Sequence, residues 1–438
     1  MNRNLFGFLL AVCGFAQAEG RLDGVWMGTL SKGDNTVHIV CSFEKPNQKI
    51  ISVALRVTEN DIESVTIQGD TVRFSVPRVK GSFEGKLIEN RKQLQGVWIQ
   101  PGLRLPLTLT YAEHGSIRQF EGIEAFVPKA PTVVRADAKD WLFYELYITN
   151  STAVEATLLR VELLIGEEVV PIEGEGLKKV AQAAGTKLAP GVRSVVLINA
   201  AGDQFPDLVR HRVTYQLADA SQPTTVECAP TRVERGAIEI GSPVAGGPWR
   251  IGSGPDTNLH HRAATLAYKG RTTISQRFAF DLFLTAPGGK NPLDNRDHPT
   301  FGEPLYAVAD AKVVAVLDRL LDNVPYDIFP ASLLSEDPSI YGNHVVLDLG
   351  RNHYATYAHM QPGIRVKPGD RVRRGDLLGL IGDSGASGAP HLHFQITDGP
   401  DPIASEGVPF VLSFTRNGVA VVREMPLNDW TVTFPERK

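Results

Sequence analysis

The C-terminal part of this 438-residue chain contains Pro390-His391-Leu392-His393-Phe394, the strongest indication of fold and chemistry in the sequence. On a β-strand, residues two positions apart share one face and lie about 7 Å apart. His391 and His393 are therefore predicted to face the same side, where one imidazole can bind a metal while the other faces a substrate or water. Eight of the eleven histidines lie in the region from residue 240 onward, so the pair has further histidines to act with.

Other motifs precede this strand in a definite order. They are Tyr341-Gly342-Asn343-His344, then Tyr354 to Met360 with His359 near its end, then Val366-Lys367-Pro368-Gly369-Asp370, and then Gly379-Leu380-Ile381-Gly382. Over roughly residues 276–397, this order closely resembles the lysostaphin-like (LytM-type) zinc metalloendopeptidases, which cut peptidoglycan cross-bridges. The resemblance implies a groove of antiparallel strands with one Zn²⁺ on its floor.

The same resemblance implies roles for individual residues. His393 matches a zinc ligand, while His359 and His391 match the catalytic pair. Asp281 matches the ligand Asp of the family's His-x-Gly-x-Asp element, but Arg277 stands where the first ligand His of that element belongs. Arginine stays protonated and offers no lone pair, and catalytic zinc usually has three protein ligands. The predicted site is therefore one ligand short.

A replacement ligand is one explanation of the missing histidine. A hairpin with its turn near Lys269-Gly270 would place position 277 opposite about 262, and His261 would then lie near the vacated corner. A slip of one residue would turn that side chain to the other face. We favour His261 as the third ligand, with His260 and His298 as weaker alternatives.

Loss of the metal is the competing explanation. Arg277 would then form a salt bridge with Asp281, and His359 and His391 would line an inert groove. With zinc present, the metal would lower the pKa of its water and polarise a carbonyl, while the two histidines move the proton or stabilise the oxyanion. We favour the zinc-dependent endopeptidase acting on peptidoglycan peptides over a degenerate domain that binds cell-wall peptides or regulates another hydrolase. A purely structural envelope protein is the third hypothesis.

A serine nucleophile is not favoured. Gly382-Asp383-Ser384-Gly385 is similar to the nucleophile loop of chymotrypsin-like proteases, but those enzymes need a His and an Asp far upstream in a two-barrel domain. His359 is only 25 residues before Ser384 (384 − 359). The segment is better interpreted as the loop that leads into the His-x-His strand.

The whole chain is predicted to be mostly β, because Gly (41) and Pro (29) are frequent and short strand patterns alternate with turns. Gly24-Val25-Trp26 and Gly96-Val97-Trp98 bracket a first small sheet or barrel. The predicted parts are a signal peptide (1–18), a small β-domain (19–112), a linker (113–131), an immunoglobulin-like β-sandwich (132–235), the lysostaphin-like domain (240–415) and a C-terminal tail (416–438).

The first residues predict export to the periplasm or the extracellular space. Arg3, the apolar run from Leu5 to Phe15 and Ala16-Gln17-Ala18 have the order of a cleavable signal peptide. After this segment the sequence has no run of 18 consecutive apolar residues, so no membrane span is predicted. The net charge of −4 argues against a nucleic-acid partner, which leaves peptidoglycan peptides, another peptide substrate or an envelope protein as candidate partners.

Overall fold

The computed structural model describes residues 22–32, 35–43, 48–52, 57–112, 122–152, 154–218, 220–268, 270–327 and 338–437. The predicted signal peptide (1–18) lies outside these residues, as does the first half of the predicted linker. The described chain is mostly β, as its composition predicts. It divides into two compact units, one of residues 1–123 with 150–155 and one of residues 124–149 with 156–438. Within the described ranges, no helix is long and apolar enough to cross a membrane.

The described residues of the first unit form an antiparallel sheet of nine strands in the order β4-β3-β2-β1-β9-β8-β7-β6-β5. Alternation along the strands builds its core: in the seventh strand, Phe83 and Leu87 are buried while Glu84 and Lys86 are exposed. The two Gly-Val-Trp repeats place Trp26 and Trp98 in that core, on strands that both pair with β9. The strands are β1 (Val25–Lys32), β2 (Asn35–Ser42), β3 (Lys49–Ser52), β4 (Val57–Asp61), β5 (Glu63–Gln68), β6 (Thr71–Val76), β7 (Gly81–Ile88), β8 (Gln93–Gln100) and β9 (Leu103–Ala112), with a 3-10 helix at Pro77–Val79.

The second unit begins with two antiparallel sheets. One has the order β10-β12-β17-β15 with β11 on β12, and the other has the order β14-β13-β18-β19 with β16 and β20 at its edges. The strands are β10 (Ile123–Phe126), β11 (Val134–Ala136), β12 (Lys139–Asn150), β13 (Ala156–Ile165), β14 (Glu168–Glu173), β15 (Ala181–Ala183), β16 (Lys187–Leu188), β17 (Arg193–Gly202), β18 (Leu208–Leu217), β19 (Thr224–Glu227) and β20 (Thr231–Arg232), and the helix is α1 (Gly174–Val180). The sheets meet where the buried Tyr144 hydroxyl lies 2.7 Å from His211 Nε2. The immunoglobulin-like topology of these sheets stays a prediction. Part of the predicted linker (113–131) is not a linker, because it forms the strand β10.

The rest of the second unit is dominated by an eleven-stranded sheet in the order β21-β33-β35-β22-β25-β32-β29-β28-β27-β30, with β34 on β33. The hairpin β23-β24 and the pair β26-β31 lie outside it. The strands are β21 (Ile238–Glu239), β22 (Gly246–Gly252), β23 (Leu266–Tyr268), β24 (Arg271–Thr273), β25 (Phe280–Leu284), β26 (Pro304–Tyr306), β27 (Ala311–Leu317), β28 (Asn343–Asp348), β29 (Tyr354–Met360), β30 (Arg371–Val372), β31 (Leu377–Leu380), β32 (Leu392–Thr397), β33 (Phe410–Arg416), β34 (Val419–Glu424) and β35 (Thr431–Phe434). Short 3-10 helices occur at His260–Ala263, Asn295–Asp297 and Pro338–Tyr341.

Two predicted boundaries differ from the structure. Residues 416–438 were expected to be a tail, but they supply β34 and β35, because Val432 and Phe434 are apolar side chains that the core buries. Residues 132–235 and 240–415 were expected to be separate domains. Val134 and Phe143 instead belong to the same hydrophobic core as Phe278, so these parts of the chain lie in one compact unit.

Candidate metal centre

Three neighbouring strands position the central side chains. In the antiparallel ladder between β25 and β32, Asp281 is directly opposite His393, so both side chains lie on the same face. On the other side of β32, Ala358 of β29 pairs with His393, and His359 follows it. The ring centroid of His359 lies 4.8 Å from that of His391 and 5.9 Å from that of His393. The strand register thus places Asp281 and His393 on one face, and the rings of His359 and His391 lie beside them.

His261 reaches the same place by a different route from the predicted one. The hairpin turn lies where expected, since Tyr268 pairs with Arg271, but its ladder extends only to Leu266 and Thr273. The register of this hairpin is the predicted one, but the ladder ends before it reaches position 277, so position 277 does not pair with position 262. His261 instead lies on the 3-10 helix His260–Ala263, which the chain enters from the end of β22, and it is buried.

Three ligand atoms converge at this point. His393 Nδ1 lies 3.1 Å from His261 Nε2 and 3.2 Å from Asp281 Oδ1, and His261 Nε2 lies 3.5 Å from Asp281 Oδ1. All three residues are buried, and they form a group able to hold one metal ion. Two imidazole nitrogens and one carboxylate oxygen are the donor set of many catalytic zinc sites, which keep a fourth position open. The residues present therefore fit zinc.

Hydrogen bonds to backbone carbonyls orient the imidazoles. His261 Nδ1 lies 3.0 Å from Ser253 O, His359 Nδ1 lies 2.8 Å from Ser384 O, and His391 Nδ1 lies 2.8 Å from Ala389 O. We assign the proton of each ring to Nδ1, because a carbonyl can only accept. Each ring then has a lone pair on Nε2. In His261, Nε2 is the atom that faces His393 Nδ1 and Asp281 Oδ1.

His393 is oriented the other way round. Its Nε2 lies 2.9 Å from Gln395 Oε1, which assigns the proton to Nε2 and leaves Nδ1 as the ligand atom. Gln395 itself donates from Nε2 to Pro402 O at 3.0 Å, which fixes the orientation of the amide. Because Gln395 and His393 are two residues apart on β32, they share a face. The i+2 spacing is the signal by which sequence reasoning could have found Gln395.

Burial and charge set the protonation states of the donors. Burial lowers the pKa of His261 to about 4 and lowers that of His359 well below its ordinary value. Burial alone would raise the pKa of Asp281, but the three histidines around it outweigh burial and hold that pKa far below its ordinary value. At neutral pH His261 is therefore neutral and Asp281 is ionised, which is the state that metal binding requires of these two donors.

Arg277 does not occupy the metal position. Its side chain is buried and forms ion pairs with Glu145 Oε2 at 2.7 Å and with Glu406 Oε2 at 2.8 Å. The alternative in which Arg277 forms a salt bridge with Asp281 is therefore wrong, because two other carboxylates surround the guanidinium. No sequence signal pointed to Glu145, which is 132 residues before Arg277.

The remaining candidates lie elsewhere or have structural contacts. His260 is exposed, and His298 Nε2 lies 2.8 Å from Pro292 O, so neither joins the donor group. The Ser384 hydroxyl donates to Met360 O at 2.8 Å and accepts from the Asn343 amide at 2.8 Å. A hydroxyl held by backbone on both sides supports the loop around His359, in line with the expectation that Ser384 is not a nucleophile.

Comparison with known proteins places the similarity in the C-terminal half. Residues 298–405 match the model of peptidase family M23. An uncharacterized metalloprotease of Haemophilus influenzae is 28% identical over 109 residues, which are 25% of this chain and 21% of that protein. The peptidoglycan DD-endopeptidase ShyA of Vibrio cholerae serotype O1 is 33% identical over 95 residues, which are 22% of this chain and 17% of ShyA. The chain thus matches about a fifth of the length of these relatives.

Among solved structures, the catalytic domain of lysostaphin from Staphylococcus simulans is 20% identical and covers 39% of this chain and 88% of that domain, with a TM-score of 0.20. The catalytic domain of the M23 protein EnpA from Enterococcus faecalis is 26% identical and covers 28% of this chain and 85% of that domain, with a TM-score of 0.19. The motifs around His359 and His393 predict the same family as the matching model. The resemblance of the C-terminal region to the lysostaphin-like enzymes of peptidase family M23 is thereby confirmed.

Proposed function

We propose that this protein is an exported, zinc-dependent endopeptidase that hydrolyses peptide bonds in peptidoglycan. The observation that carries the proposal is the convergence of His261 Nε2, Asp281 Oδ1 and His393 Nδ1 on one point, with His359 and His391 beside it. The name of the relative ShyA, a peptidoglycan DD-endopeptidase, supports peptidoglycan as the substrate. An envelope location follows from that substrate, and the predicted signal peptide would provide export.

The proposed roles follow from the geometry. When bound, zinc supplies a Lewis acid that lowers the pKa of a water molecule and polarises a carbonyl group. His261, Asp281 and His393 would hold it, and the buried setting strengthens each of these interactions. His359 and His391 each present Nε2 with a lone pair, so either ring can accept a proton from the attacking water and then donate it to the leaving amine.

His391 has one contact that suits proton transfer. Its Nε2 lies 3.5 Å from Asp281 Oδ1, and its ring stacks on Phe283 with centroids 5.2 Å apart. The carboxylate would stabilise the imidazolium that forms when His391 takes a proton, while Phe283 limits how far the ring can turn. The centroid of the His359 ring lies 4.8 Å from that of His391, and His359, once protonated, would donate to a developing oxyanion.

The alternative function is a catalytically degenerate domain that binds cell-wall peptides or regulates another hydrolase. Its specific support was the expected pairing of Arg277 with Asp281. Since Arg277 pairs with Glu145 and Glu406 instead, no observation in the described residues favours this alternative over the enzyme. It remains the outcome to which a failed metal test would point.

Zinc content tests the proposal. We expect about one zinc per chain in the purified protein, as for a single-metal catalytic site, and loss of that zinc in His261→Ala and in His393→Ala. His260→Ala is the matched control, because this exposed neighbour lies on the same 3-10 helix, and it should retain the metal. Purified peptidoglycan should be cleaved by the wild type only when zinc is bound. A wild type that takes up no zinc, even from added zinc, would exclude the enzyme and leave the peptide-binding alternative.

A further inference from the structure

A buried ion-pair network includes Arg262, the residue that follows His261. We define the Glu145 network as Glu145 of β12, Arg262, Arg277 and Glu406. Glu145 Oε1 lies 3.3 Å from Arg262 Nε, and Glu145 Oε2 lies 2.7 Å from Arg277 Nε. Arg262 is 0% exposed and Glu145 is 1% exposed. Buried charges are costly unless they are paired, so this network holds its members in fixed positions.

Arg262 directly follows His261 on the 3-10 helix, and its guanidinium is bound on several sides. One terminal nitrogen donates to Pro255 O at 2.6 Å and to Asn199 Oδ1 at 3.0 Å. The other donates to Tyr144 O at 3.1 Å. A helix of four residues has little stability of its own. The position of this helix therefore depends on the partners of Arg262.

The segment that leads into the helix is attached to the same sheet. Asn199 of β17 donates to Asp256 O at 2.9 Å, and Gln182 of β15 donates to Asn258 O at 3.2 Å. Together with Glu145 and Tyr144 of β12, these contacts come from three strands of the sheet β10-β12-β17-β15. One sheet outside the region that matches the peptidase family thus supports residues 256–262 from end to end.

We propose that Glu145, Arg262 and Asn199 are positioning residues for the metal centre. In this arrangement, the sheet β10-β12-β17-β15 places His261 where it completes the donor set with Asp281 and His393. Arg277, which stands in the position of the missing ligand His, is the second cation of the same network. An arginine at this position therefore removes one metal ligand and, through Glu145, also helps to hold His261 in place. The inference rests on the proposed function, because it assumes that the three donors bind zinc.

The test measures metal affinity in the full-length chain, without an activity readout. Zinc is titrated into metal-free protein against a competing chelator, and cobalt absorption reports the coordination of the metal. We expect Glu145→Gln to weaken zinc binding by about 10–100-fold, the range found for residues that orient metal ligands, and to change the cobalt spectrum. Asn199→Ala removes only hydrogen bonds, and it should act in the same direction with a smaller effect.

Glu162→Gln is the matched control. Glu162 is a buried carboxylate on the opposite sheet, where it pairs with Arg160 at 2.9 Å and Arg212 at 3.3 Å. This variant should bind zinc as the wild type does. If Glu145→Gln fails to fold, Asn199→Ala decides the outcome. Wild-type affinity and an unchanged cobalt spectrum in Asn199→Ala and in any folded Glu145→Gln would overturn this inference alone, whereas a wild type without affinity for zinc would overturn the proposed function.

Discussion

His359 stands in a left-handed backbone conformation, with φ at 59°, which residues other than glycine rarely adopt. Its neighbour Ala358 is opposite His393, so regular alternation along β29 would turn the side chain of residue 359 to the other face. The unusual φ interrupts that alternation, and the His359 ring lies 5.9 Å from that of His393. Strained residues of this kind cluster at functional sites, which agrees with a catalytic role.

Removal of either proposed catalytic histidine should separate chemistry from metal binding. We expect His359→Ala and His391→Ala to lower the rate of peptide hydrolysis by about 10²–10⁴-fold, the usual contribution of a general acid or base. Zinc content should stay that of the wild type, because neither ring belongs to the donor group. The measurements are kcat on soluble peptidoglycan fragments and zinc per chain.

His353→Ala serves as the control for these variants, since His353 lies in a turn, half-buried and outside the donor group. It should retain both zinc and activity. An active His359→Ala together with an active His391→Ala would contradict the assignment of the pair.

The sequence predicted the residues of the site more completely than it predicted the residues that hold them in position. Motifs identified Asp281, His359, His391 and His393, and the structure brings all four together. The prediction of His261 assumed a hairpin ladder long enough to reach position 277, whereas the ladder has the predicted register but ends at Thr273, and His261 lies on a 3-10 helix. Glu145 was not predicted, since its contact joins residues 132 positions apart and local patterns carry no information on such a contact.

At the scale of elements, the loop from Gly382 to Ala389 and the start of β28 approach each other closely. Gly342 has φ at 62°, and a Cβ at this position would lie 2.2 Å from Ser384 O. That carbonyl accepts the hydrogen bond from His359 Nδ1. A side chain at residue 342 would therefore displace the group that orients His359.

We expect Gly342→Ala to lower the free energy of unfolding by more than the left-handed conformation of residue 342 alone explains. Gly350→Ala is the matched control, because its φ is 83° and a Cβ there would meet nothing within 4 Å. We expect the control to lose about 1–2 kcal/mol from the left-handed conformation, and Gly342→Ala to lose about 1–3 kcal/mol more from the steric overlap. Urea denaturation measures both, and equal losses would contradict the structural explanation.

At the scale of the molecule, one hydrophobic core of the second unit joins β11 and β12 to the eleven-stranded sheet. Phe143 of β12 is fully buried and lies edge-on to Phe278, with ring centroids 6.5 Å apart. Alternating patterns correctly predicted strands in both parts of this unit. They did not predict that the parts share a core, because the apolar face of a strand does not reveal which partner covers it.

A cavity at Phe143 should therefore weaken both parts together. We expect Phe143→Ala to lower the free energy of unfolding by about 3–5 kcal/mol, with hydrogen exchange becoming faster in β12, β25 and β32 alike. Leu109→Ala, a buried leucine in the nine-stranded sheet, should leave β25 and β32 unchanged. Faster exchange confined to β12 in Phe143→Ala would show that the two parts unfold independently.

The 3-10 helix that carries His261 also limits which segments of this protein recombination can transfer with a complete metal site. The segment that matches the peptidase family, residues 298–405, contains His359, His391 and His393 but neither Asp281 nor His261. Transferred alone into another protein, this segment would bring the two proposed catalytic histidines with only one of the three proposed metal donors. If the sheet β10-β12-β17-β15 positions His261 as proposed, a recombinant chain that keeps the complete donor set must also carry β12 and β17, and the transferred segment then begins more than 150 residues before the region that matches the family (298 − 139 = 159).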